Sequence, residues 1–461
     1  MFLKAGQRPT TDGFDAIVVG SGPAGLTVAL RLAGAGKRVL VIESDHGGGD
    51  IPPSIGYGHF SGTYWSAHSI RALGGTSNAW AGWVSPLRAI DFDHPVAGVR
   101  WPITLEELVP FYRLAAPYLD RHPSTADFHG QPVVPGWTYH PFSMHDPTRF
   151  GEKYRGTLAA SKVIQVAVGH SVVSLDANPG RSSLTSLHCF DHAGGTAFDL
   201  PVRPEQAVAL AGGGIGNAQL LLQPRADGAR PVGNESGLAG MFLMEHPHVY
   251  EAGECVMARD LTRFAPPQRF GRSVHAIVAD QATETAHGLF GCSLNFYHQN
   301  QDHELVKLYA RPAVPFHHYQ VDIRSEMLPS AANRVYMTAE RTRAGICRPA
   351  VRCVFSAADI LNADLAFRAF GESLLGLALG RVRVNNDAIY RTVTGGGHIM
   401  GTTRMGQSRS DSVVDRDCKV HGYDNFYIAG SSVFPTGGFA NPTFTIVALA
   451  VRLADEVAKR G

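Results

Sequence analysis

Cysteine is scarce in this chain: six thiols in 461 residues, at positions 189, 255, 292, 347, 353 and 418, with no Cys-x-x-Cys pair. That scatter argues against a disulfide-stapled scaffold and a cysteine zinc site, and no metal centre is expected. It reads as buried free thiols in a reducing compartment, so a cytoplasmic location is expected. Net charge is equally lacking, with 41 Lys plus Arg against 40 Asp plus Glu. No sustained field is left to attract nucleic acid or an anionic membrane, and neither is expected as a partner. The longest apolar runs, such as 446–451, fall far short of a bilayer span. Residues 1–13 are polar and lack the apolar core of a secretory signal. Repeats and low-complexity tracts are absent.

Glycine, by contrast, is abundant, with 51 residues gathered at a few junctions. The stretch 15–44 organises the rest. Residues 16–19 are a short apolar run suited to a strand buried on both faces. Gly20-x-Gly22-Pro23-Ala24-Gly25 follows at once, and Leu26, Ala29, Leu30 and Leu32 recur at helical spacing. Residues 39–42 form a second buried strand ending on Glu43 and Ser44. The three glycines serve different ends. Gly20 makes the tight turn, Gly22 lets backbone approach a pyrophosphate, and Gly25 lets helix pack on strand. The helix N-terminus offers free N–H groups and a positive dipole end. Glu43 lies 43 − 22 = 21 residues past the middle glycine, where a carboxylate accepts from a ribose diol and repels a 2′-phosphate. Strand, glycines, helix, strand and acid in register predict dinucleotide binding.

Further along, Arg71-Ala-Leu-Gly74-Gly75-Thr-Ser77-Asn78-Ala79-Trp80-Ala-Gly-Trp83 suits either a loop pressed on a flat aromatic ligand or a surface turn with a packed Trp. Residues 105–119 read as a helix with Thr104 as N-cap and Glu106 and Glu107 in its first turn. Strands are expected at 163–168, 171–175, 184–189, 196–202 and 207–211, the last closed by a second glycine-rich helix start over 212–222. From 249 to about 380 alternating segments at 276–279, 293–297, 317–323 and 335–338 predict a mixed or antiparallel sheet, with a helix over 357–375 covering one face. A third strand, in 425–432, ends on glycine and serine at Gly430 and Ser431, and Phe439-Ala-Asn441-Pro442-Thr443-Phe opens a long amphipathic helix to about 459. Taken alone, Asn441-Pro442 is a capped helix start and His398 is a histidine in a glycine-rich loop.

In their order, these segments resemble the glucose–methanol–choline (GMC) family of FAD-dependent alcohol oxidoreductases, nearest to its sugar-active, pyranose oxidase-like branch. The resemblance covers 15–111, 207–247 and 395–461, and is weak over 249–380. It implies an α/β fold: a Rossmann-type FAD domain assembled from 1–248 and 390–461, and a substrate domain over 249–389. The implied cofactor is FAD rather than NAD, with contacts also from Val172, Ala211, Gly212, Gly430, Ser431, Asn441, Pro442 and Thr443. The family's catalytic pair falls on His398 and Asn441, 441 − 398 = 43 residues apart. An imidazole with an ordinary pKa near ~6.5 can take the alcohol proton while hydride leaves for the flavin, and the amide orients the same hydroxyl. His246, Trp83 and Tyr297 are candidates for the substrate wall. One departure is informative. Relatives with covalent flavin carry histidine where this chain has Ala79, so dissociable FAD is expected. The substrate is expected to be a small alcohol, sugar, glycoside or polyol; the electron acceptor stays open. A non-redox lyase, a non-sugar alcohol oxidase or dehydrogenase, and a NAD-linked dehydrogenase are the alternatives.

Overall fold

The strand Ala16–Val19 carries no polar side chain and is buried at all four positions, as a strand covered on both faces must be. In the computed structural model it is the middle member of a five-stranded parallel sheet, in the order Ile164–Val168, Val39–Glu43, Ala16–Val19, Ala207–Leu210, Phe426–Ile428. The structure describes all residues except 4–5, 46–54, 127–129, 141, 145, 226, 265–273, 300–302, 310–313 and 461. Helix Pro23–Gly34 follows the first strand and packs against the C-terminal helix Thr443–Ala458, so the two ends of the chain meet. A Cβ on Gly25 would lie 2.0 Å from the Gly20 carbonyl oxygen, which explains why glycine stands at that helix–strand contact. The strands expected at 171–175, 184–189 and 196–202 form a three-stranded antiparallel meander, His170–Ala177, Leu184–Asp191 and Thr196–Pro201. Thr104 caps Leu105–Ala115 in a capping box with Glu107.

A second, larger sheet runs Gly380–Val384, Pro247–Met257, His317–Ser325, Cys292–His298, Val274–Ala279, Trp137–His140, Gln131–Val134, with Thr394–Gly395 paired beside Pro247–Met257. Its two faces differ. Leu294, Phe296, Val321 and Ile323 pack with Phe367 and Phe370 of helix Ala357–Gly376. The opposite face carries Ser293 across from Arg324, Asn295 from Asp322 and Tyr297 from Gln320. Strand alternation thus gives one apolar face to the helix and one polar face to the side where the loops of His398 and Asn441 lie.

Two expectations need correction. The strand at 335–338 does not join this sheet: Arg334–Arg341 pairs with Cys347–Cys353, which pairs in parallel with Ile55–Gly58. Alternation reports a half-buried strand but not its partner. The C-terminal helix begins at Thr443, with Pro442 in the capping position and no side-chain cap, so the Asn441 amide does not cap it. All six cysteines are buried and free. No helix among the described residues is long and apolar enough to cross a membrane.

Candidate active site

One cavity of about 760 Å³ runs from the first glycine loop to the segments around His398 and Asn441. Its first end is built from backbone. Gly20, Gly22, Pro23, Ala24, Glu43 and Ser44 line it beside Ala211, Gly212 and Val172. A Cβ on Gly20 would meet the Ala211 carbonyl oxygen at 2.6 Å, and one on Gly75 would meet the Gly22 Cα at 2.9 Å. Two loops therefore approach each other as closely as bare backbone allows. Glu43 is buried and holds this turn: one carboxylate oxygen accepts from the Ser21 N–H (2.8 Å) and hydroxyl (2.5 Å), the other from the Asp45 N–H (3.1 Å). Burial pushes the Glu43 carboxyl above its ordinary range, against the bonds from Ser21. Arg71 donates to Gln219 at 2.9 Å from the same wall.

Arg71, Gly75, Ser77, Ala79, Trp80, Gly430, Ser431, Pro442 and Thr443 also line the cavity. Gly25, Gly74 and Asn78 stand behind it. Gly74 touches backbone of Gly151, where a Cβ would lie 2.4 Å from the amide nitrogen, and Asn78 donates to the Leu73 carbonyl at 3.1 Å. Their role is to shape the loop that carries the lining residues. Glycine-lined backbone at a helix start, a buried acid and a long cavity together suit an extended dinucleotide such as FAD.

The second end is built from imidazoles. The His398 Nε2 accepts from the Asn441 Nδ2–H at 3.0 Å, and its Nδ1 lies 2.9 Å from the His246 Nδ1. One bond pattern satisfies both contacts: His398 carries its proton on Nδ1, donates it to His246, and keeps an Nε2 lone pair. The loop is fixed from below by Glu245, fully buried, whose carboxylate accepts from the backbone N–H groups of His246 (2.8 Å), Gly396 (3.2 Å) and His398 (2.8 Å). Tyr64 donates to the other Glu245 oxygen at 2.7 Å and accepts from the Gly397 N–H at 2.8 Å. Behind this, Met244 and Met400 exchange backbone bonds at 3.0 Å, which sets 246 opposite 398.

Asn441 is held from another direction. Its loop includes Gly437 and Gly438, whose N–H groups donate to the buried Glu326 at 3.0 and 2.9 Å. The other Glu326 oxygen lies 2.9 Å from the His94 Nε2. Burial would raise the Glu326 carboxyl, but His94 and the loop N–H groups outweigh it and bring it below the ordinary value. The Asn441 Oδ1 is buried with no partner among the described residues. A bound hydroxyl is the kind of group that would satisfy it.

Electrostatics keep the His398 imidazole neutral. Burial, then His246, Arg324 and His68, hold His398 well below the ordinary imidazole range. Burial holds His246 down to about 4, and His248, whose ring centre is 5.7 Å from that of His398, is likewise depressed. Arg324 lines the cavity with its guanidinium 4.4 Å from the Trp83 ring centre and donates a long 3.4 Å bond to the Tyr297 hydroxyl. Trp83 and His248 line the cavity directly; Tyr297 reaches it through Arg324. The sequence, through the resemblance, put His246-Pro247-His248 only near the active-site wall, and gave no role to Glu245, Tyr64 or Arg324. The Glu245-His246-Pro-His248 run was the available signal, four residues that bring two imidazoles and a carboxylate to one strand start.

Comparisons with known proteins identify what the chain is similar to. Residues 15–242 match the family model described as FAD dependent oxidoreductase, and 323–450 match that described as GMC oxidoreductase. The chain is 24% identical to the 2-methyl-1,2-propanediol dehydrogenase of Mycolicibacterium austroafricanum, over 98% of this chain and 96% of that protein. It is 27% identical to the 6′′′-hydroxyparomomycin C oxidase of Streptomyces lividus, over 96% of this chain and 91% of that protein. A solved fungal aryl-alcohol oxidase shares the fold with a TM-score of 0.63 at 16% identity, over 97% of this chain and 99% of that one. With glycine crevice, buried acid and paired imidazoles in one cavity, and both family models matched in the expected order, the chain belongs to the FAD-dependent GMC oxidoreductases.

Proposed function

We propose that this enzyme oxidises a CH–OH group of a polyol, sugar or glycoside to a carbonyl, with His398 as the base and Asn441 as the orienting amide. The observation that carries the reading is the 3.0 Å contact between the Asn441 amide and the His398 Nε2 at the cavity wall. Named activities of the full-length relatives, on a diol and on an aminoglycoside, support the alcohol class. FAD bound in the cavity supplies the hydride acceptor.

The protein's part is proton handling and orientation. A substrate hydroxyl displaces the amide from Nε2, donates its proton there and receives the Asn441 N–H on oxygen. His398 then carries protons on both nitrogens, and His246 accepts the Nδ1 proton throughout, which fixes the ring and eases its positive charge. Because burial keeps His398 unprotonated near neutral pH, the base is ready before substrate arrives. Arg324, His248 and Tyr250 on the cavity wall suit hydroxyl-rich substrates. FAD is held without a covalent bond at position 79, where alanine has no nucleophile. A two-domain division and a cytoplasmic location belong to the same proposal, with Gln131–Val134, Trp137–His140 and the whole of Pro247–Met257 counted in the substrate domain whose sheet they form.

The test is anaerobic bleaching of the flavin by polyols, sugars, glycosides and simple alcohols. Bleaching by hydroxyl-rich substrates that His398→Ala abolishes, with the flavin spectrum kept, is the expected result. A yellow enzyme that no alcohol bleaches, or a His398→Ala variant that bleaches normally, removes the reading.

A further inference from the structure

The outer part of the large sheet holds a second cluster of chemistry-bearing side chains. Register places Val256 opposite His318 and Glu254 opposite Gln320, so Glu254 and His318 are diagonal neighbours on one face of adjacent strands. His303 precedes helix Glu304–Tyr309, which packs on those two strands. The imidazole nitrogens of His303 and His318 and a carboxylate oxygen of Glu254 all lie within 4.8 Å of one another. The two rings stack, centres 4.1 Å apart and planes 28° apart.

We propose that Glu254, His303 and His318 bind one divalent first-row transition-metal ion, Zn²⁺ being the ion the donor set suits. His318 is 4% exposed, and neither of its ring nitrogens has a hydrogen-bond partner among the described residues. A buried imidazole left unsatisfied on both sides is costly, and an ion supplies the missing partner. The His318 Nε2 stands 3.9 Å from the Glu254 Oε1, beyond hydrogen-bond length. Two donors on one tetrahedral zinc lie about 3.3 Å apart, given Zn–N and Zn–O lengths near ~2.0–2.1 Å. A small rotation of the glutamate closes that gap. The Arg383 Nη2, 2.5 Å from the Glu254 Oε2, holds the other carboxylate oxygen and leaves Oε1 as the ligand. Two imidazoles and one carboxylate favour zinc and its neighbours over magnesium or calcium, which prefer oxygen alone.

This site is separate from the proposed redox centre. His318 and Arg324 are six residues apart on one strand, about 20 Å at strand rise. The ion would fasten helix Glu304–Tyr309 to two interior strands of the sheet, one of which carries Arg324 of the cavity wall further along. The absence of cysteine pairs argued against metal from sequence; this donor set uses none.

The experiment titrates Zn²⁺ into FAD-loaded protein stripped with EDTA, by calorimetry with metal analysis. One ion per chain is expected. His318→Ala and Glu254→Gln should each weaken it by about tenfold or more while flavin absorbance is unchanged. Zn²⁺ should also slow amide exchange over 304–309. Absence of stoichiometric Zn²⁺ binding, or equal affinity in the substituted proteins, overturns the site. Should His318→Ala fail to fold, Glu254→Gln and His303→Ala decide it by the same two outcomes.

Discussion

The two ends of the long cavity are built by opposite means. The nucleotide end is made by leaving side chains out: Gly20, Gly22, Gly25 and Gly75 let strand, helix and loop backbones touch. The imidazole end is made by crowding side chains in, with His246, His248 and His398 packed over Glu245. Backbone presents the same amide groups whatever the neighbouring sequence, so the first end is a property of spacing. The second depends on which side chains meet across distant strands, and on burial that keeps them neutral. One end is robust to anything but bulk; the other is sensitive to every proton.

The comparison can be broken most sharply at His398. His398→Ala should lower substrate-dependent flavin reduction by about 10²–10⁴-fold, the usual worth of a general base, with the flavin spectrum retained. Stopped-flow reduction under nitrogen measures it. At the other end the prediction reverses. Gly25→Val forces carbons into a space where one Cβ is already 2.0 Å from a carbonyl oxygen, and overpacking of this kind costs about 1–3 kcal/mol or more. Purified protein should carry little flavin and melt early, a loss of cofactor rather than of chemistry. Equal flavin content in this variant and the parent would refute the crevice.

A finer test lies between base and scaffold. His246→Phe removes the acceptor for the His398 Nδ1 proton and leaves that buried N–H unpaired, worth about 1–3 kcal/mol. Turnover should fall about tenfold or more and its acidic limb should shift, while flavin stays bound. An unchanged pH profile would show that His246 only packs.

The smallest effect is on stability. His246 and His275 are both held to about 4, and His248 and His398 are depressed below their ordinary value of 6.5. As pH falls from 6.5 towards 4 the unfolded chain takes up protons that the folded chain refuses. Stability therefore declines through that window, and is complete above it. The melting temperature of the holoenzyme across this range measures the slope; a flat profile would mean these imidazoles are not buried neutral.

Much of the nucleotide end was legible in the chain, because a buried strand, a glycine turn and an amphipathic helix are local patterns within thirty residues. The Thr104 capping box was legible for the same reason. His398 and Asn441 could be named as a pair only through the family resemblance, since nothing local joins positions 43 residues apart. His246 was placed on a wall and not beside His398, and Arg324 went unseen, because alternation along a strand says which residues share a face but not which strand lies next. The misplacement of 335–338 has the same cause.

Sequence alone determined the three strand–glycine junctions, their order, and the acid at Glu43, because steric room for backbone is set residue by residue. Tertiary structure decided that His246 lies 2.9 Å from His398 across 152 residues, and that Glu254, His303 and His318 converge. Those meetings follow from strand register and the Met244–Met400 pairing, which only the folded chain possesses.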